Sequence, residues 1–153
     1  MTILLNFFFS GLATMAFGII TNIPRRALLA CGVTGGIGWV LFHFSNEMGL
    51  GLGGANFLGA LSVGIISVFL SRRYKMPLII FNIPSLVPLV PGGPAYQAVR
   101  QIMQGNYEAG LQNILIVIIT AGAIAIGFMV TNLVEKLAKF LLKNPYQIKR
   151  KKP

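Results

Sequence analysis

The stretch Asn82-Ile83-Pro84-Ser85-Leu86-Val87-Pro88-Leu89-Val90-Pro91-Gly92-Gly93-Pro94 is apolar enough for a membrane, yet its composition opposes a regular helix. Pro84, Pro88 and Pro91 lack amide donors and crowd the turn before each of them. Pro88 and Pro91 also push Val87 and Val90 away from the α region. An extended backbone with unpaired carbonyls is therefore expected here. Lipid cannot satisfy those carbonyls, and non-helical backbone at membrane depth is tolerated only where protein buries it or it lines a polar cavity. Discontinuous helices of this kind form binding sites in secondary transporters. The stretch predicts a component of a membrane transporter.

The rest of the chain fits that setting. Of its 153 residues 55% are hydrophobic and 10% charged, with a mean hydropathy of +0.75. A water-soluble fold needs more polar surface, so a polytopic membrane protein is expected. The net charge of +10 would suggest a nucleic-acid partner if the basic residues formed one face, but they cluster between or after apolar runs. No nucleic-acid partner is expected. Cys31, the single cysteine, lies within an apolar run and reads as a packing residue. No basic residue precedes the first apolar run, so that run is expected to remain as an anchor rather than a cleaved signal.

Five crossings follow in order, over residues 3–23, 27–44, 54–71, 77–91 and 111–134, in a polytopic membrane domain spanning 1–143. The second carries Gly32, Gly35, Gly36 and Gly38, and the third Ala60 and Gly64; such small residues let membrane helices approach closely. Gly49 to Gly54 matches the lettering of a dinucleotide-binding loop, but no strand precedes it and no acidic residue follows at the right distance. It reads as a turn. The fourth crossing contains the proline stretch. Gly92-Gly93-Pro94 then opens a short amphipathic helix, with Tyr96, Val99 and Met103 on one face and Gln97, Arg100, Gln101 and Gln104 on the other. Residues 144–153 form a basic tail expected in the cytoplasm.

Arg25 and Arg26, then Arg72, Arg73 and Lys75, then the Lys-rich tail, mark cytoplasmic segments. The expected topology is N-terminus outside and C-terminus inside, in a cell (inner) membrane. The acids Glu47, Glu108 and Glu135 all sit near span ends, so no midplane carboxylate is available for a proton relay. One His, one Cys and three scattered Glu give no nucleophile and base at a useful spacing, so no enzyme, metal or cofactor is expected.

The run Ile83 to Gly92 before Tyr96, followed by Gly105-Asn106-Tyr107, resembles the small five-span membrane subunit of the threonine/serine exporter (ThrE-type) family, and the likeness covers nearly the whole chain. The resemblance implies export of threonine, serine or related small carboxylates from the cytoplasm, together with a second membrane subunit. An odd number of crossings makes a related partner in a fused chain inverted relative to this one. Substrate contact is expected at the break. Gly92, Gly93 and the helix start offer backbone amides to a carboxylate. Asn82, Ser85 and the Tyr96 hydroxyl would bond the polar groups, carbonyls around Pro88 and Pro91 would receive the ammonium, and Arg100 would attract anions at the outer mouth. The competing readings are a non-transporting subunit that stabilises or localises a partner, and a homo-oligomeric channel.

Overall fold

The structure, a computed structural model, describes residues 2–141 and the side chains of 3–137; the expected basic tail lies outside the described residues. Every regular element among them is helical: α1 (Thr2–Ile20), α2 (Arg25–Glu47), α3 (Gly51–Tyr74), α4 (Ile79–Leu86), a 3-10 turn (Val87–Leu89), α5 (Gly92–Met103) and α6 (Tyr107–Leu141). Four of these, α1, α2, α3 and α6, are long and apolar enough to cross a membrane; Ile79–Leu89 is a shorter apolar helix. Large apolar side chains such as Phe8, Ile20, Leu29, Phe69 and Met129 point outward, as suits a bundle whose solvent is lipid.

Two boundaries differ from expectation for local reasons. Arg25 and Arg26 belong to α2, because Pro24 takes the N-cap position at φ −53°, ψ 131° and its carbonyl accepts from Ala27 N–H at 2.8 Å. The last apolar helix starts at Tyr107 rather than 111. Gly105, at φ +82°, lets α5 close in a left-handed turn in which Gly105 N–H donates to Ile102 O and Asn106 N–H to Gln101 O.

Small residues set the packing. Gly18 meets Leu28, Gly11 meets the Gly32 carbonyl and Gly36 meets Phe7, so numbers fall along α1 as they rise along α2 and the two run antiparallel, with Gly35 against Thr14. On the other side of α2, Gly38 meets Val63 and the Gly59 carbonyl of α3, again antiparallel. The pairing of α3 with α6 has the opposite sense: Gly53 meets Ile119, Ala60 meets Gly127 and Gly64 meets Thr131, so residue numbers rise together. These two helices are parallel. The connection between them therefore carries the chain from the end of α3 back to the level of its start.

That connection is α4, the 3-10 turn and α5. Phe81, fully buried, packs with Ala27, Cys31 and Met76, whereas Leu89 packs with Ala60, Val63 and Ile124. The segment is thus anchored at two places along α2 and α3. Its α-helical part reaches further than the sequence suggested: Pro84 lies inside α4, and Val87 is helical at φ −50°, ψ −44° despite preceding Pro88. Only Val90 is extended, at φ −66°, ψ 129°.

The expected row of free carbonyls is also corrected. Each proline removes the amide that would bond the carbonyl four residues earlier, and each orphan finds another donor. The Cys31 thiol donates to Ile80 O at 3.5 Å. Val87 N–H takes Pro84 O, Val90 N–H reaches Val87 O at 3.4 Å, and Gly92 N–H takes Val90 O at 2.8 Å. The last bond closes an inverse γ-turn about Pro91, which sits at φ −76°, ψ 56°. This substitution of local bonds explains why the backbone tightens into 3-10 geometry instead of extending.

Helix α5 begins at Gly92, which puts Pro94 at its third position. It packs on α6, where Ala98 and Ile102 meet Gly110. Ala98 is its one buried residue; Tyr96, Val99 and Met103 are exposed along with Gln97, Arg100 and Gln104, and Gln101 is half-buried.

Candidate functional site

Two grooves flank the 3-10 turn. The first, about 240 Å³, lies between α1, α2 and the turn and is lined by Asn6, Phe9, Ser10, Ala13, Trp39 and Pro88. The second, about 460 Å³, is formed by Phe17, Ile83, Leu86, Val87, Val90 and Gly92 and is apolar. A third concavity of about 510 Å³ lies at the α5–α6 turn around Asn106, Tyr107 and Glu108. Its lining is almost wholly exposed, so it offers little desolvation.

The first groove takes its polar groups from a stripe on α1. Asn6, Ser10 and Thr14 recur at helical spacing, facing α2. Thr14 is fully buried where Gly35 leaves room for it, and its hydroxyl donates to Ser10 O at 2.8 Å. The Ser10 hydroxyl donates to Asn6 O at 2.6 Å. Trp39 packs against Phe42 with ring centroids 5.1 Å apart and planes tilted by 41°. Pro88 contributes a carbonyl without a backbone donor: Pro91 has no N–H, and the Gly92 amide is used by Val90 O.

The residues named from sequence are distributed along the whole segment. Asn82 is half-buried with its Oδ1 unpartnered. Ser85 is fully buried and donates to Cys31 O at 3.1 Å, which occupies its hydroxyl proton. Pro88 lines the first groove and Gly92 the second. The Pro91 carbonyl accepts from Ala95 N–H at 3.1 Å, so the Ala95 amide is engaged. Gly93 is exposed, and among the described residues its amide has no backbone acceptor. Tyr96 and Arg100 are exposed on α5 and do not line the groove that holds Pro88.

Asn6, Ser10 and Trp39 were not singled out from sequence. The signal for the first two was present, since a carboxamide and a hydroxyl one turn apart in an apolar run mark a face that avoids lipid. Trp39 carried no such signal.

A family model described as "Threonine/Serine exporter, ThrE" matches residues 6–134. An uncharacterized protein of Haemophilus influenzae (strain ATCC 51907 / DSM 11121 / KW20 / Rd) is 26% identical over 102 residues, covering 67% of this chain and 34% of the relative. The chain thus spans about a third of the length of that curated relative. No solved structure matches the chain.

Proposed function

Because the chain belongs to the threonine/serine exporter (ThrE) family, we propose that it is a subunit of a secondary exporter that moves threonine, serine or related small carboxylates out of the cytoplasm. The substrate sits at the interrupted segment between α4 and α5. The observation that carries this reading is the Pro88 carbonyl, unpaired in the backbone and placed at the 3-10 turn on a groove that Asn6 and Ser10 also line. A cation-accepting dipole inside an apolar bundle is what an ammonium needs.

In this reading the connection from α4 to α5 is the fourth of five crossings. The parallel sense of α3 and α6 supports it, since the chain has to return along the bundle between them. The basic residues Arg25, Arg26, Arg72, Arg73 and Lys75 put their end of the bundle in the cytoplasm and the N-terminus outside. The missing half of the transporter is a second membrane subunit, a view supported by the relative being about three times as long as the part this chain matches. The chain contributes binding and packing rather than enzyme chemistry.

Export assays test this reading. Cells lacking the chain should lose threonine or serine efflux, and restoring it together with its partner should recover the flux. Gly92→Val and Gly93→Val are informative variants, because an added Cβ at either position meets nothing within 4 Å. They should insert and assemble normally yet export poorly. Normal assembly with wild-type export and unchanged apparent affinity places the substrate elsewhere.

A further inference from the structure

We propose that the end of the bundle where α2 begins and α3 ends binds the phosphate headgroup of an anionic phospholipid, with Arg25, Arg26, Arg72 and Arg73 as its contacts and Lys75 and Lys136 beside them. This site goes beyond the exporter reading and is independent of it, since it concerns the lipid around the chain and not the solute that is moved.

Packing brings these cations together from separate stretches of the chain. Ala27 in the first turn of α2 and Met76 just after α3 belong to one buried cluster with Cys31 and Phe81. The register of Gly38 against Gly59 and Val63, carried down both antiparallel helices, sets Arg25 level with residues 72–76. On the parallel pair, Gly64 against Thr131 sets Lys136 about one turn deeper than Arg73. All six side chains are exposed, and among the described residues none of them has an ion pair or hydrogen bond. Of the chain's three acids, Glu47 and Glu108 lie at the opposite end, and Glu135 is half-buried and already engaged. Two local details sharpen the imbalance. Arg25 and Arg26 occupy the first turn of α2, where the partial positive charge of the helix opposes them, and no acidic residue shares that turn. Lys75 takes a left-handed conformation at φ +54°, which glycine would adopt without steric conflict. Positive charge is thus held here against local preference and without an internal counter-ion.

The neighbours of the cations select a lipid over a soluble anion. Arg25 and Leu29 share a face of α2 one turn apart, and Arg73 and Phe69 do the same on α3. Ile79 follows Lys75 at the start of α4, and Leu133 precedes Lys136 on α6. Leu29, Phe69, Ile79 and Leu133 are all half or more exposed. Each lies deeper in the bundle than its cation. A phosphate at the arginines would therefore lay its acyl chains against apolar side chains one turn further in, which is the layout of a phospholipid at a membrane surface. Four of the six cations are arginines, whose planar guanidinium holds phosphate oxygens in pairs. A zwitterionic headgroup brings its own cation to this patch and is partly repelled, whereas phosphatidylglycerol carries a net negative charge and fits better.

The test uses the full chain in phosphatidylcholine bilayers, with electron spin resonance of a phosphatidylglycerol or phosphatidylcholine probe spin-labelled on its acyl chain. The probe fraction immobilised by the protein gives the relative affinity for the two headgroups. Phosphatidylglycerol should be favoured by at least about fivefold, the equivalent of one basic contact, and the preference should fall as salt rises. Arg25→Gln, Arg26→Gln, Arg72→Gln and Arg73→Gln together should bring the two probes within about twofold of each other. Lys149→Gln, Arg150→Gln, Lys151→Gln and Lys152→Gln in the basic tail should leave most of the preference. An unchanged phosphatidylcholine fraction shows that a variant bundle is intact. If the fourfold arginine variant does not assemble, the pairs Arg25→Gln/Arg26→Gln and Arg72→Gln/Arg73→Gln, measured separately, should each lower the preference. Equal immobilisation of both probes by the native chain, a preference unmoved by the arginine variants, or one lost with the tail replacements alone overturns the site. Release of the phosphatidylglycerol probe by millimolar inorganic phosphate also overturns it, in favour of a soluble anion. The two readings fail separately, because unchanged efflux from cells lacking the chain defeats the exporter reading and leaves the lipid preference to stand or fall on these spectra.

Discussion

The Cys31 thiol points at the Ile80 carbonyl oxygen, 3.5 Å away, and Ile80 is the residue whose helical amide partner is removed by Pro84. A side chain on α2 thus repairs a backbone defect in α4. The Ser85 hydroxyl returns the contact by donating to the carbonyl of Cys31 itself. Cys31→Ala should cost about 0.6 kcal/mol, the average for an interhelical hydrogen bond in a membrane protein, while Cys31→Ser keeps a donor and should cost less. In a Pro84→Ala background the Ile80 carbonyl regains a local amide, so the cost of Cys31→Ala should shrink. Unfolding in SDS, followed by circular dichroism across the double-mutant cycle, checks this. Strict additivity would show that the thiol does not serve the orphaned carbonyl.

Glycines in the bundle should divide sharply by neighbour. A Cβ at Gly35 would overlap the Thr14 side chain, and one at Gly122 meets nothing within 4 Å. Gly35→Ala should therefore destabilise the bundle by ~1–3 kcal/mol through overpacking. Gly122→Ala should be neutral or slightly stabilising, because alanine is the better helix former. The same unfolding measurement distinguishes them. Equal stability of the two variants would refute the packing assigned to α1 and α2.

Accessibility from the two sides of the membrane checks the arrangement of the ends. Asn46 closes α2 and Asn106 precedes α6, and the parallel run of α3 and α6 puts both toward one side of the bundle, opposite Lys75. Thiols introduced at 46 and 106 should react with an impermeant reagent added to intact cells, and one at 75 should react only after permeabilisation. Opposite behaviour of positions 46 and 106 would rule out five crossings.

Much of the helical layout was legible from residues alone. The apolar runs gave four long helices, and Gly105 and the Pro24-Arg25-Arg26 boundary marked real helix ends within a few residues. The glycines of α2 announced close packing, which the contacts with Thr14, Phe7 and Val63 realise. What the sequence overstated was the reach of the prolines. Pro84 and Pro88 were expected to extend the chain, but Cys31 and the Val87 amide supply bonds that hold it helical as far as Leu89. A donor from another helix leaves no local trace in sequence. The grooves were hidden for a related reason: Asn6 and Trp39 are far from Pro88 in the chain, and only the antiparallel pairing of α1 with α2 brings them together.

Helix α2 is keyed on opposite sides, with Gly32, Gly35 and Gly36 filled by Met15, Thr14 and Phe7 of α1 and Gly38 filled by Val63 of α3. Turning α2 about its axis by one residue, about 100° in a 3.6-residue helix, would drive each of those side chains into backbone bearing a Cβ. The three helices are therefore geared and have to move as one rigid frame. Helix α5 is keyed on α6 in the same way, by Ile102 against Gly110, so any change of access during a transport cycle falls to the part without such teeth, the 3-10 turn and the γ-turn at Pro91. A crosslink between α1 and α2 should then be harmless to transport, and one that pins Val90 to Phe17 across the groove they share should stop it.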